Sequence, residues 1–171
     1  MFLIKKSFYS IFLNSIPIVI LFFLVFTGFD LSIATVEFVS FNFVYIILFF
    51  YVLKKPESLG YGLIFFSGIV NDIVLGLPIG ISSIDFLILS GIASYFRNLT
   101  LRPSLILDWM AFFPSILIVN SMHYYIIKII FEMDLSYFFL IMNCVFTFLA
   151  YPIFAILINI FNLKKLRNQN V

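Results

Sequence analysis

Acidic and amide side chains inside apolar segments are the residues of this chain that could carry out chemistry. Asp72 and Asp85 flank the short turn at residues 76–80, and Asn120 and His123 follow in a later apolar segment. Two carboxylates that face each other could share a proton or hold a cation. Alternatively, both aspartates lie close to the ends of their segments, where water solvates them. For Asp85 we expect the solvated arrangement.

A glycine pattern surrounds Asp72. Gly68, Asp72 and Gly76 are spaced at i, i+4 and i+8, so they share one face of a helix. This face carries little side-chain bulk, and another helix can therefore approach it closely and bring a polar partner to the carboxylate. We expect a structural role for Asp72 rather than a proton relay, with its carboxylate bonded to backbone or hydroxyl groups of the turn that contains Pro78 and Gly80.

Histidine and cysteine occur once each, as His123 and Cys144. A lone histidine without a second ligand does not make a metal site, and one cysteine can form no internal disulfide. We expect His123 and Asn120, which share a helix face, to form hydrogen bonds between helices. The sequence shows no nucleophile–base pair, phosphate loop or zinc-ligand spacing. We therefore expect no enzyme activity, no metal and no cofactor.

The composition indicates which solvent surrounds these residues. The chain has 171 residues, of which 64% are hydrophobic and 11% charged, with a mean hydropathy of +1.19. Soluble domains carry about 25% charged residues, so we expect an integral membrane protein with one transmembrane domain and no role in nucleic-acid binding. The apolar runs do not alternate with polar residues as barrel strands do, which predicts an all-α fold.

Six apolar stretches approach the roughly 20 residues that a helix needs to cross a bilayer. They are residues 8–27, 38–53, 59–75, 81–96, 105–130 and 137–161. The first stretch is longer than the apolar part of a signal peptide, and we expect it to be retained. Pro17, Pro114 and Pro152 lie inside stretches and predict kinks. Asp108 and Trp109 suit a start of the fifth helix in the headgroup layer, with the acid near the positive end of the helix dipole.

Charge placement supports this number of spans. With six spans, nine of the ten Lys and Arg residues fall on one side, and Asp30, Glu37, Glu132 and Asp134 fall on the other. The positive-inside rule then places both termini in the cytoplasm. The basic residues on that side are Lys5, Lys6, Lys54, Lys55, Arg97, Arg102, Lys164, Lys165 and Arg167.

The order of features resembles the MreD family of rod shape-determining proteins in the bacterial inner membrane. That family is similar in length and span layout, and it carries a proline after the second span followed by Gly-x-x-x-Asp-x-x-x-Gly-x-Pro-x-Gly. The residues that match here are Pro56, Gly68, Asp72, Gly76, Pro78 and Gly80. The layout covers nearly the whole chain, whereas the specific residues lie within about 30 positions.

The resemblance implies a non-enzymatic membrane scaffold of the cell-elongation complex. Its partners would be the single-span protein MreC and, in the wider complex, MreB, RodA and a penicillin-binding transpeptidase, which together direct side-wall peptidoglycan synthesis. From the residues we expect the Gly68/Asp72/Gly76 face to accept a partner's helix. The family fold also resembles the substrate-binding subunits of energy-coupling-factor vitamin transporters, which gives the alternative function.

Overall fold

The computed structural model describes residues 2–28, 41–100, 104–131 and 136–167, with side chains from residue 15 to residue 160 within these ranges. These residues form six α-helices and one short 3₁₀ helix, and they contain no strand, which confirms the predicted all-helical class. The α-helices are α1 (Phe2–Thr27), α2 (Phe43–Lys54), α3 (Tyr61–Leu75), α4 (Ile81–Leu99), α5 (Leu105–Ile130) and α6 (Tyr137–Arg167). The 3₁₀ helix is Pro56–Ser58. Asp30, Glu37, Arg102, Glu132 and Asp134, which helped to orient the predicted spans, lie outside the described residues.

Helix α2 forms the centre of the structure. Every residue from Phe43 to Leu53 is buried, because the sequence of α2 is apolar on all sides. With 12 residues and a rise of 1.5 Å per residue, α2 is only about 18 Å long. The second predicted stretch began at residue 38, whereas the helix begins at Phe43 after the N-cap Asn42.

The other helices surround α2. Helix α1 packs on α3, α3 on α4, α4 on α5 and α5 on α6, while α2 itself contacts α1, α4 and α6. Aromatic rings fill the interior: Phe49 of α2 lies 5.0 Å from Phe112 of α5 and 6.0 Å from Tyr151 of α6 between ring centroids. One core therefore connects all the described helices.

Within the part of the chain whose side chains are described, two helical segments are long and apolar enough to cross a membrane, namely Leu105–Ile130 and Tyr137–Ile160. Both expose large apolar side chains, including Ile129 and Ile153, which are 71% and 61% exposed. Helices α1, α5 and α6 run on through Pro17, Pro114 and Pro152 without interruption.

Candidate functional site

The turn between α3 and α4 is organised around the carboxylate of Asp72. Its Oδ2 atom accepts a hydrogen bond of 2.7 Å from the backbone N–H of Gly80, and Oδ1 accepts one of 2.9 Å from that of Ser82. Gly80 is the N-cap residue of α4 and Ser82 lies in its first turn, where backbone N–H groups have no partner within the helix. The predicted bonding of Asp72 to the turn is therefore present, and the side chain caps the next helix in the chain.

Two glycines allow the turn to be short. Gly76 ends α3 with a φ of +67° and Gly80 precedes α4 with a φ of +108°, a conformation that other residues rarely adopt. The backbone N–H of Leu77 donates to the carbonyl of Asp72 at 2.9 Å, as in a Schellman motif. The turn thus returns the chain so that α4 lies antiparallel to α3.

Gly68 lies where α3 and α4 are closest. A Cβ atom on Gly68 would lie 2.4 Å from the Cα atom of Ser83, and the Ser83 hydroxyl donates to the Phe65 carbonyl at 3.0 Å. The prediction that another helix approaches this face closely is thus correct. At Gly68 and Asp72 the helix that approaches is α4 of the same chain, and contact of this face with a partner's helix stays a prediction.

Asp85 is not solvated, and that expectation is wrong. Its side chain is 1% exposed, and Oδ2 lies 2.5 Å from Nδ1 of His123 on α5. Tyr45 of α2 also interacts with this carboxyl group. Burial of a carboxylate is costly unless it is paired, and His123 supplies the pairing. Asp72 and Asp85 consequently have different partners instead of sharing one proton or cation.

Amide side chains make further contacts in the same region. Asn120 of α5 donates to Sγ of Cys144 on α6 at 2.9 Å, and Asn71 of α3 donates to the Ser82 hydroxyl at 2.9 Å. The predicted hydrogen bonds of His123 and Asn120 between helices are therefore confirmed. Asn42 instead caps its own helix, with Oδ1 accepting from the backbone N–H of Tyr45 at 3.1 Å.

These polar residues surround a partly open cavity of about 220 Å³ above the start of α2. The described residues that line it come from all six α-helices and from the α3–α4 turn. Apolar lining comes from residues such as Leu75, Phe86 and Leu140. We call this region the cavity end. The polar residues that line the cavity are Asn42, Tyr45, Asn71, Ser82, Asn120, His123 and Asn143.

The opposite part of the bundle contains an ion pair. Lys54, the last residue of α2, lies 2.5 Å from Oδ2 of Asp108 in the first turn of α5, and the two side chains are 24% and 4% exposed. Arg97 of α4 donates to the Val52 carbonyl at 3.0 Å and helps to satisfy the C-terminus of α2. We call this region, defined by Lys54, Arg97 and Asp108, the ion-pair end.

Asp108 lies in the first turn of α5, as predicted, and both Asp108 and Trp109 contact other helices. Asp108 is buried against Lys54. The Trp109 ring stacks on Phe148 with 4.8 Å between centroids, and its indole N–H donates to the Phe148 carbonyl at 2.9 Å. Both side chains connect α5 to neighbouring helices.

The cavity is the feature that sequence reasoning missed. Asparagine residues spread over four apolar segments are a signal that polar groups converge, but their spacing along the chain does not show that one space lies between them. Within the described residues, no group of three or more His, Cys, Asp or Glu side chains is placed to hold a metal ion. The arrangement offers hydrogen bonding and one His–Asp pair.

Comparison of the chain with models of protein families, with curated proteins and with solved structures finds no match in any of the three. The geometry of the two ends of the bundle is therefore the basis for interpreting function.

Proposed function

We propose that this chain is a multi-pass membrane scaffold of the MreD type. In this proposal it crosses the bacterial inner membrane six times with both termini in the cytoplasm. It has no enzyme activity, and it acts with MreC, and more widely with MreB, RodA and a penicillin-binding transpeptidase, in side-wall peptidoglycan synthesis and the maintenance of cell shape.

The observation that carries the proposal is the use of buried polar groups as ties between helices. Asp72 caps α4, Asp85 pairs with His123, and Lys54 pairs with Asp108. Buried charges are retained in proteins when they are paired, and in a bilayer such ties specify how helices pack. A rigid bundle with an apolar exterior suits a protein that offers packing surfaces to others.

Charge and apolar surface support the membrane part of the proposal. Lys54, Arg97 and the start of α5 lie together at the ion-pair end, as the six-span arrangement requires of its cytoplasmic side. The cavity end would then face outward. Large apolar side chains such as Phe66, Ile73 and Ile129 are more than half exposed, which suits contact with lipid.

We propose a different surface for contact with a partner from the one that the sequence suggested. Because α4 fills the Gly68 face, a partner's single helix would pack on the exposed apolar surface of the bundle. Helix α3 offers such a surface on its other side, where Phe65, Phe66 and Ile73 are 46%, 55% and 62% exposed.

Depletion of the protein in its host, combined with affinity purification, tests the scaffold. We expect depleted cells to become round and the tagged protein to co-purify with a single-span membrane protein. Rods of unchanged width and length after depletion would contradict the proposal. Reporter fusions at the two termini test the topology separately, since an even number of spans places both reporters on the same side.

A substrate-binding subunit of an energy-coupling-factor vitamin transporter is the second candidate function. The cavity favours it, since ligand sites are concave and combine an apolar lining with a few polar groups. This function predicts that depletion impairs growth only when an external nutrient is scarce and leaves rod shape unchanged. The two candidates are therefore separated by the same depletion strain.

A further inference from the structure

We infer that the cavity is a binding site for a small, uncharged, flat molecule that carries an amide, lactam or imide group. The inference concerns the cavity alone and holds whether the chain acts as a scaffold or in transport. Binding is measured on the purified chain, so its failure is distinguishable from a failure of either proposed function in cells.

The size of the ligand follows from the volume of the cavity. The space of about 220 Å³ exceeds the roughly 150 Å³ that suffices for a benzene molecule in a protein interior. One ring with a polar substituent therefore fits, whereas a molecule of several fused rings does not. The partial opening of the cavity gives such a molecule a way in.

The charge of the ligand follows from the lining. Among the residues that the structure describes, none that lines the cavity is a lysine, arginine, aspartate or glutamate, and the ionisable His123 is already paired with Asp85. A charged molecule would lose its hydration in the cavity without meeting an opposite charge, which is unfavourable. An uncharged molecule avoids this cost.

The polar groups that line the cavity favour a ligand with an amide group, which carries a donor and an acceptor side by side. Asn42 uses its carbonyl oxygen to cap α2, which leaves its NH₂ group to donate, while Asn71 and Asn120 use their NH₂ groups within the protein and keep carbonyl oxygens that accept. An amide or imide presents a donor beside an acceptor and can satisfy both kinds of group at once. A polyol lacks this fixed geometry.

The remaining lining residues complete the recognition of such a ligand. Phe86, Leu75 and Leu140 provide apolar surface for the faces of a ring. Pairing of Nδ1 with Asp85 fixes the orientation of the His123 ring and leaves Nε2 for the cavity. The His123–Asp85 pair therefore positions a hydrogen-bonding group toward the ligand.

Thermal unfolding of the purified protein in detergent, followed by the fluorescence of Trp109, tests the inference with benzamide and uracil as probes. We expect at least one probe at about 10 mM to raise Tm by about 2 °C or more. Benzoate has the shape of benzamide but carries a charge, and glucose is an uncharged polyol. Neither should raise Tm. An equal effect of benzoate or glucose, or no effect of either amide, would overturn the inference.

Variants inside and outside the cavity show where the effective probe binds. Asn71→Leu should weaken binding of the effective probe at least about tenfold, a loss equal to about 1.4 kcal/mol. Asn98→Leu makes the same chemical change at an exposed position of α4 outside the cavity and should bind normally. If Asn71→Leu does not fold, Leu140→Trp fills the cavity from α6 and should abolish the shift. Equal shifts in the cavity variant and in Asn98→Leu would show that the probe binds elsewhere.

Discussion

The two ends of the helix bundle use buried polar residues in different ways. At the ion-pair end, Lys54 and Asp108 neutralise each other and Arg97 bonds to a backbone carbonyl, with aromatic rings packed behind them. At the cavity end, Asp85 and His123 also pair, but the asparagines around them line an open space. The first end is filled by the protein itself, and the second retains hydrogen-bonding groups that a ligand can use.

The two ends of α2 show this difference. Its last residue, Lys54, pairs with Asp108 at the start of α5, so contacts between helix termini tie the ion-pair end together. The start of α2 contributes Asn42 and Tyr45 to the lining of the cavity. One central helix therefore connects a structural end with a candidate binding end.

A variant that forces α3 away from α4 should lower the stability most, because these helices form one wall of the cavity end. Gly68→Ala places a methyl group 2.4 Å from the Ser83 backbone, which a side-chain rotation cannot relieve. We expect a loss of about 3 kcal/mol or more in the free energy of unfolding, measured by thermal or denaturant unfolding in detergent.

The matched control for Gly68 is Gly62 in the same helix, where a Cβ atom meets nothing within 4 Å. Gly62→Ala should leave the stability unchanged or raise it by up to about 1 kcal/mol through better helix propensity. Similar losses for the two variants would show that the close approach of α3 and α4 is not what makes Gly68 necessary.

Removal of one member of the ion pair tests the ion-pair end. Lys54→Met leaves Asp108 buried without a counter-charge, whereas Asp108→Asn leaves a lysine that is 24% exposed and can turn toward water. We expect Lys54→Met to lower the free energy of unfolding by about 3 kcal/mol and Asp108→Asn to lower it clearly less. The same unfolding experiment measures both, and the reverse order would contradict the assigned burial.

The double variant Lys54→Met/Asp108→Leu tests whether the loss in Lys54→Met comes from the unpaired charge of Asp108. It removes both charges and fills the site with apolar groups, so it should recover most of the stability that Lys54→Met loses. The probes of the cavity end should bind to it normally, because the change lies at the other end of the bundle.

Loss of the cap at the α3–α4 turn should have the next largest effect. Asp72→Leu leaves the backbone N–H groups of Gly80 and Ser82 without acceptors and should cost about 2 kcal/mol. Asp85→Asn retains an oxygen that can accept from His123 and should cost less. Equal expression and equal unfolding temperatures for the two variants would show that the cap contributes little.

The sequence predicted the elements better than their contacts. Apolar runs predicted helices at all six places where the structure has them, since the length of an apolar run is local information. Asp72 was interpreted correctly for the same reason: its partners, Gly80 and Ser82, lie within ten residues of it.

Asp85 was misjudged because its partner, His123, lies 38 residues after it in the sequence. The pairing of Asp108 with Lys54 was not predicted either, since Lys54 lies on a different helix. Which helix faces supply a counter-charge depends on how the bundle packs, and no local pattern encodes that. The cavity likewise depends on which residues of six helices meet at one end of the bundle. The apolar run also predicted a start of α2 five residues too early, at residue 38.

The smallest expected effects on stability come from removing one tyrosine hydroxyl at the cavity end and one in the core. Tyr45 at the cavity end interacts with Asp85, while the hydroxyl of Tyr151, buried in the core beside Phe112, has no hydrogen-bond partner among the described residues. Tyr45→Phe should therefore lower the free energy of unfolding by about 1 kcal/mol.

Tyr151→Phe removes a buried hydroxyl that is unsatisfied, and it should leave stability unchanged or raise it slightly. Both variants delete a single oxygen from a buried ring, so unfolding in the same detergent compares hydrogen bonding without a change in packing. If Tyr151→Phe lost as much stability as Tyr45→Phe, the hydroxyl of Tyr151 would have a partner in solution, and hydrogen bonding in the core would differ less from that at the cavity end than the structure indicates.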